Sequence, residues 1–293
     1  MSIWDAVILG VIQGLTEFLP ISSTAHLLVA RQLMGHPNKE DAFTVVIQLG
    51  TLVAVFAYYR ADIARLIRGF LADLRVDRMG TNPDGRLAWQ IILGTIPAVV
   101  VGLLFKKELK ANFFNLPSIG VVAILFAILL AMAEWWAHYR ARISPPRGAE
   151  EIGWLDALWV GLWQACALMP GGSRSGTTIT GGLIAGFDRA VAARFSFLLS
   201  IPVMLGAGIK ELYDEYKKLK HPTPDDLTPS LFASGDEVTA LIVGTVVAGV
   251  VGYLSIAWLM HFLRRYSTMV FVGYRILFGV AILLALSQGW LAP

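Results

Sequence analysis

The sequence predicts an all-α polytopic membrane protein, with six transmembrane helices plus two re-entrant helical hairpins arranged as an inverted repeat. Three observations carry this expectation. Hydrophobic residues make up 56% of the 293 residues and charged residues only 15%, against roughly 45–50% and 25% in soluble domains. Apolar runs of spanning length recur from one end of the chain to the other. Two of the apolar stretches are interrupted alike, by a proline, a turn rich in serine or glycine, and a short new helix.

The first interruption follows an apolar run over residues 3–12. Gln13-Gly14-Leu15-Thr16-Glu17-Phe18-Leu19-Pro20 leads into Ile21-Ser22-Ser23-Thr24-Ala25-His26 and a short run ending near Met34. A helix of 13 residues from Ser22 to Met34 is about 20 Å long, too short for a hydrocarbon core of roughly 30 Å. Ile3–Met34 therefore reads as a re-entrant hairpin with its tip at Pro20–Ser23. Spans follow at about 41–59, 87–105, 116–137, 190–209, 238–262 and 270–290. Between the third and fourth, Trp154–Phe187 reads as a second hairpin broken at Pro170–Ser173. Proline removes a backbone donor and Gly171-Gly172 permits a turn, so one helix stops there; Ser173 or Ser175 can cap the next.

The halves, about 1–137 and 153–291 of a single 1–293 domain, repeat. A glutamine precedes each proline (Gln13, Gln164), and a serine stands three residues beyond it (Ser23, Ser173). Phe43-Thr44-Val45-Val46-Ile47-Gln48 and Phe195-Ser196-Phe197-Leu198-Leu199-Ser200 then open comparable spans. A hairpin plus three spans inverts the second copy relative to the first. Inverted repeats of broken helices place their sites near the membrane midplane, where irregular backbone survives only if it lines a protein cavity. Basic residues set the orientation. The loop carrying Arg60, Arg65, Arg68, Arg75, Arg78 and Arg86 is expected inside and both termini outside. Tyr213–Glu237, with Lys217, Lys218 and Lys220, forms an outer loop, and Trp135, Trp136 and Tyr139 an inner interfacial belt.

Composition excludes other classes. A net charge of +3 with scattered arginines is no nucleic-acid surface. Cys166, the single cysteine, rules out an intrachain disulfide. Met1–Leu9 contains Asp5 and no basic start, so no cleavable signal peptide is expected.

Chemistry concentrates at the hairpin tips. Glu17 is a carboxylate inside an apolar hairpin, a functional position by default, and Gln13 lies one turn earlier on the same face. Ser22 and Ser23 share a helical face with His26, the minimal hydroxyl–imidazole pair for nucleophilic chemistry; the plain alternative is a helix cap beside a hydrogen-bonded histidine. His36, His138, His221 and His261 fall at loops or span ends. At the second tip Arg174 needs an anion, either Glu17 or a substrate phosphate. Ser173, Ser175 and Thr178 with the helix N-terminus suit phosphate oxygens, as do Ser22 and Thr24 at the first tip. Arg275, within the last span, is expected to pair with a carbonyl or to snorkel, and Glu134 to sit at the interface. A divalent cation, magnesium or calcium, is an option through Glu17, but one carboxylate is a thin ligand set.

Glu17-Phe-Leu-Pro-Ile-Ser-Ser-Thr-Ala-His26 and Pro170-Gly-Gly-Ser-Arg-Ser-Gly-Thr-Thr178 resemble the two signature stretches of bacterial undecaprenyl-diphosphate phosphatases, the bacitracin-resistance protein family, and the resemblance covers essentially the whole chain. It implies removal of the terminal phosphate from C55-isoprenyl diphosphate, recycling the carrier lipid for peptidoglycan and other wall polymers, and protection against bacitracin. It implies a multi-pass bacterial plasma-membrane protein whose active site faces the outer, periplasmic side; a homodimer stays open. The family's first motif often has a glutamate where Gln13 stands, so any role needing two carboxylates is in doubt. The expected mechanism has Ser23 attacking phosphorus with His26 as base, Arg174 neutralising phosphate, and Glu17 holding His26 or a cation. Attack by His26 or by an activated water are the alternatives. A lipid-phosphate or anion transporter, or a flippase, is the rival reading on the same inverted repeat.

Overall fold

The computed structural model describes residues 1–35, 42–76, 79–80, 82–221, 231–232 and 234–292. His36, Lys39, Arg78 and residues 222–230 and 233 of the expected outer loop lie outside the described residues, as do the side chains of Lys106 and Lys110. The described residues form eleven α-helices: α1 (Ile3–Phe18), α2 (Ser23–Leu33), α3 (Ala42–Tyr58), α4 (Arg60–Arg75), α5 (Pro83–Phe113), α6 (Leu116–Arg140), α7 (Trp154–Cys166), α8 (Arg174–Ile184), α9 (Arg189–Lys220), α10 (Gly235–Leu263) and α11 (Met269–Ser287). Helices α5, α6, α9, α10 and α11 are long and apolar enough to cross a membrane, and α3 with α4 makes a sixth candidate, bent by 81°. The protein is thus multi-pass. Leu103, Leu155 and Leu277 are more than 70% exposed, a surface suited to hydrocarbon rather than water.

Helix α4 departs from the expected loop. Leu66, Gly69 and Asp73 turn inward from one face, while Ile67, Leu71 and Leu74 are exposed among the arginines. One inward face beside arginines and exposed apolar residues is the amphipathic pattern of helices that lie along an interface. Asp73 anchors it by accepting from Gly80 N at 2.7 Å and Asn82 Nδ2 at 3.3 Å. Arginines every three or more residues signalled a loop by charge; the same spacing also makes an amphipathic helix. Glu134, near the end of α6, is buried within the protein, accepting from Arg189 Nε at 2.6 Å and Thr268 Oγ1 at 2.7 Å, which joins α6 to the starts of α9 and α11.

The repeat is visible residue by residue. Ser2 and Gly153 begin the two first half-helices, with Asp5 and Asp156 reaching back to the cap nitrogen in each. Gly10 and Gly161 are the next equivalent pair, then Gln13 and Gln164, then Ser22 and Ser173, every pair 151 positions apart. The glycines mark matching contacts. A Cβ on Gly10 would sit 2.6 Å from Gly244 O of α10, and one on Gly161 2.3 Å from Gly94 O of α5. Small residues let membrane helices approach this closely, so each first half-helix is held against a long span of the opposite half. In this register Ser173 matches Ser22, not Ser23, and Ser23 matches Arg174; counting from the prolines slips by one residue.

Candidate active site

Both second half-helices begin on a strained serine. Ser22 has φ 74° and Ser173 φ 66°, and no other described non-glycine residue has positive φ. Such a backbone costs about 1–3 kcal/mol and persists only where surroundings hold it. Each serine side chain caps its helix, Ser22 accepting from Ala25 N at 3.5 Å and Ser173 from Gly176 N at 3.2 Å. The kinked backbone turns the first N–H groups of α2 and α8 away from their preceding half-helices, which makes each an anion-attracting terminus.

The two breaks meet. Arg174 Nη2 of the second donates to Glu17 Oε1 of the first at 2.8 Å. The other carboxylate oxygen, Oε2, accepts from Ser23 Oγ at 2.8 Å and from Gln13 Nε2 at 2.9 Å. Ser175 Oγ donates to Leu19 O at 2.9 Å, a second tie between the tips, and lies 3.2 Å from Ser173 Oγ. The pair is buried, with 15% of the Arg174 side chain and 6% of that of Glu17 exposed. Removing one partner of such a pair costs about 3–5 kcal/mol, because the other is left as an isolated buried charge.

Several expected contacts are absent and others take their place. His26 does not hydrogen-bond Ser23. Its Nδ1 donates to Ser22 O at 2.7 Å, so the lone pair is on Nε2, which accepts from Tyr274 Oη at 2.7 Å. The ring stacks 4.0 Å from Phe278. The group bonded to Ser23 is Glu17, and Glu17 does not hold His26. The Thr178 hydroxyl, expected to suit a phosphate oxygen, turns back to Arg174 O at 2.7 Å and to Ser196. Thr24 faces a separate cavity beside α3.

Arg275 is the residue that sequence reasoning set aside. It is fully buried, and its guanidinium donates to Gly171 O at 3.0 Å, Gly172 O at 2.9 Å and, more weakly, Pro20 O at 3.4 Å. One side chain on α11 thus pins both breaks. In a trans peptide the C=O and N–H point opposite ways, so holding the Gly172 carbonyl directs the Ser173 N–H away from Arg275. No ion-pair partner is found for Arg275 among the described residues. With Glu17 and Arg174 cancelling, its charge leaves the cluster net positive. The available signal was an arginine inside an otherwise apolar span, preceded by Tyr274.

A divalent cation fits this donor set poorly. Among the described residues no three His, Cys, Asp or Glu side chains cluster, and both Glu17 oxygens already accept from Arg174, Ser23 and Gln13. Unspent capacity remains on Arg174 Nη1 and Gln13 Oε1, both buried without partners.

Broken helices that converge on an arginine, a carboxylate and a serine hydroxyl define a polytopic membrane protein with a buried polar cluster between its two chain breaks. Comparison with known proteins narrows the class. The family model described as bacitracin resistance protein BacA matches residues 6–281. The chain is 47% identical over 290 residues to an undecaprenyl-diphosphatase of Chloroherpeton thalassium, covering 99% of this chain and 98% of the relative. It is 46% identical over 291 residues to one of Prosthecochloris aestuarii and 45% over 292 to one of Chlorobium phaeobacteroides, each covering 99% of both chains. The chain belongs to the BacA bacitracin resistance protein family.

Proposed function

We propose that this protein hydrolyses undecaprenyl diphosphate to undecaprenyl phosphate and inorganic phosphate, recycling the carrier lipid for peptidoglycan and wall polymer synthesis and thereby conferring bacitracin resistance. The observation that carries the reading is the single cluster in which Arg174, Glu17 and Ser23, from two chain breaks, share hydrogen bonds. A transporter needs the arginine but has no use for a hydroxyl held on a carboxylate.

In the resting site Glu17 occupies the place on Arg174 that suits a phosphate. The terminal phosphate of the lipid displaces it there, and Arg174 with the N–H groups at the starts of α2 and α8 takes up the charge of phosphoryl transfer. Glu17 keeps Ser23 and receives its proton as Ser23 Oγ bonds to phosphorus. The anhydride P–O bond breaks, and undecaprenyl phosphate leaves with the bridging oxygen. A water then attacks the phosphoserine, giving a proton to the site as orthophosphate departs and the Ser23 hydroxyl is restored. Ser22 and Ser173 hold the tips in shape, Ser175 fixes their spacing, and Gln13 orients Glu17. His26 steadies the Ser22 carbonyl and keeps a basic Nε2, so trapped phosphate on His26 in place of Ser23 would overturn the assignment of the nucleophile.

The arginine-rich segments favour their side of the bilayer as cytoplasmic, which opens the site to the outer face of the plasma membrane. The test is phosphate release from C55-isoprenyl diphosphate by the purified protein in detergent. Arg174→Lys, which retains charge but not the planar fork, should lower kcat/KM by ~10²–10³-fold, as loss of an oxyanion partner does. Lipid movement between leaflets without phosphate release would favour the transporter instead.

A further inference from the structure

Tyr274, on the spanning helix α11, has no part in the chemistry above, yet it is tied to the first break. Its hydroxyl donates to His26 Nε2 at 2.7 Å. On a membrane-spanning helix a hydroxyl without a protein partner is costly, so this bond is a strong tether. The rings of His26, Tyr274 and Phe278 are parallel to within 11°. The imidazole therefore cannot tip without losing both the stack and the hydrogen bond.

The tether reaches Ser23 through the backbone. His26 Nδ1 donates to Ser22 O at 2.7 Å, whereas the helical bond to the same oxygen, from His26 N, is stretched to 3.4 Å. Ser173 and Thr177 are the equivalent residues of the second half, 151 positions on. There the helical bond from Thr177 N to Ser173 O is an ordinary 2.8 Å. The Ser22 carbonyl has thus turned toward the imidazole. A peptide plane is rigid and its N–H lies opposite its C=O, so the position of this carbonyl decides where the Ser23 N–H points. That N–H opens the first turn of α2, the end at which Glu17 holds Ser23 Oγ. Arg275, the next residue of α11, does the same for the second break by holding Gly172 O, which directs the Ser173 N–H.

We propose that Tyr274 is a positioning residue for phosphoryl transfer: by holding His26 it fixes the Ser22–Ser23 peptide so that the Ser23 N–H donates to the phosphate oxygen that gains charge as Ser23 Oγ attacks. The inference deepens the phosphatase reading above and rests on it. A donor aimed at developing charge acts on turnover more than on substrate binding. Purified full-length protein, Tyr274→Phe, His26→Ala and the double variant are assayed with the lipid diphosphate, with orthovanadate as a mimic of the five-coordinate transition state and thermal melts alongside. Tyr274→Phe keeps the stacked ring and loses only the hydroxyl. It should lower kcat by ~10-fold, the weight of one hydrogen bond, leave KM near its wild-type value, and raise the vanadate inhibition constant by the same factor as kcat falls. In the His26→Ala background the tyrosine change should do nothing more, because its effect passes through the imidazole. Where the double variant turns over too slowly to measure, the rise in Tm given by vanadate makes the same comparison. Unchanged kcat with a lowered Tm would make Tyr274 a packing residue only and overturn the proposal. A raised KM alone would set Tyr274 against the arriving lipid, and a full further loss in the double variant would mean that it acts without His26; either overturns it too. If the wild type releases no phosphate, the phosphatase reading fails by itself. The vanadate-induced rise in Tm then decides the tether, and equal rises in wild type and Tyr274→Phe would overturn it.

Discussion

Glu17→Gln should separate binding from chemistry, because the carboxylate does two opposed things. In the resting site it neutralises Arg174 through a 2.8 Å contact and holds Ser23 at 2.8 Å. Glutamine has the same shape without the charge. Arg174 then shares the site with Arg275 and no anion, which should destabilise the empty protein by about 3–5 kcal/mol, the usual result of breaking a buried pair. An entering phosphate no longer has a carboxylate to displace, so orthophosphate should bind more tightly and raise Tm more in the variant than in the wild type. Turnover moves the other way: losing a general base lowers kcat by ~10²–10⁴-fold. The assay is phosphate release from the lipid diphosphate beside thermal melts with and without orthophosphate. Normal kcat would refute the base, and a variant that phosphate stabilises less than the wild type would refute the displacement step.

Two further substitutions test the scaffold. Arg275→Met leaves the buried carbonyls of Gly171 and Gly172 without their donor; at about 1–3 kcal/mol for each such group, a thermal melt should show a loss of several degrees, and kcat should fall with it. Wild-type stability would mean that Arg275 does not pin the breaks. Gly161→Ala places a Cβ 2.3 Å from Gly94 O and should cost about 1–3 kcal/mol by overpacking. Gly206→Ala, with nothing within 4 Å of the new Cβ, should be neutral or stabilising on the same melt; equal effects would contradict the close approach of α7 to α5.

Much of this architecture was legible in the chain because membranes impose simple rules. Length and apolarity marked the spans, and two prolines with polar residues behind them marked the breaks. That Arg174 needs an anion could be read in advance, with Glu17 and a substrate phosphate as the two alternatives; the structure pairs it with Glu17. What failed depended on side-chain direction. Ser23 and His26 sit at helical spacing, yet Nδ1 is claimed by the Ser22 carbonyl and the ring by Phe278 and Tyr274, partners 248 and more positions away. For Arg275 pairing with a carbonyl was one of the two expectations and is what the structure shows, but which carbonyls it holds could not be read, since any residue type supplies one. Helix α4 shows that a run of arginines fixes a side of the membrane but not a conformation.

The most direct test of the account is a double-mutant cycle of Glu17→Gln and Arg174→Gln on the stability of the purified protein. If the breaks close on one site, the second substitution should cost far less once the first is present, with a coupling of about 3 kcal/mol, as expected of residues in contact. Additive losses, with coupling below about 0.5 kcal/mol, are the signature of independent positions and would contradict a site shared between the two halves.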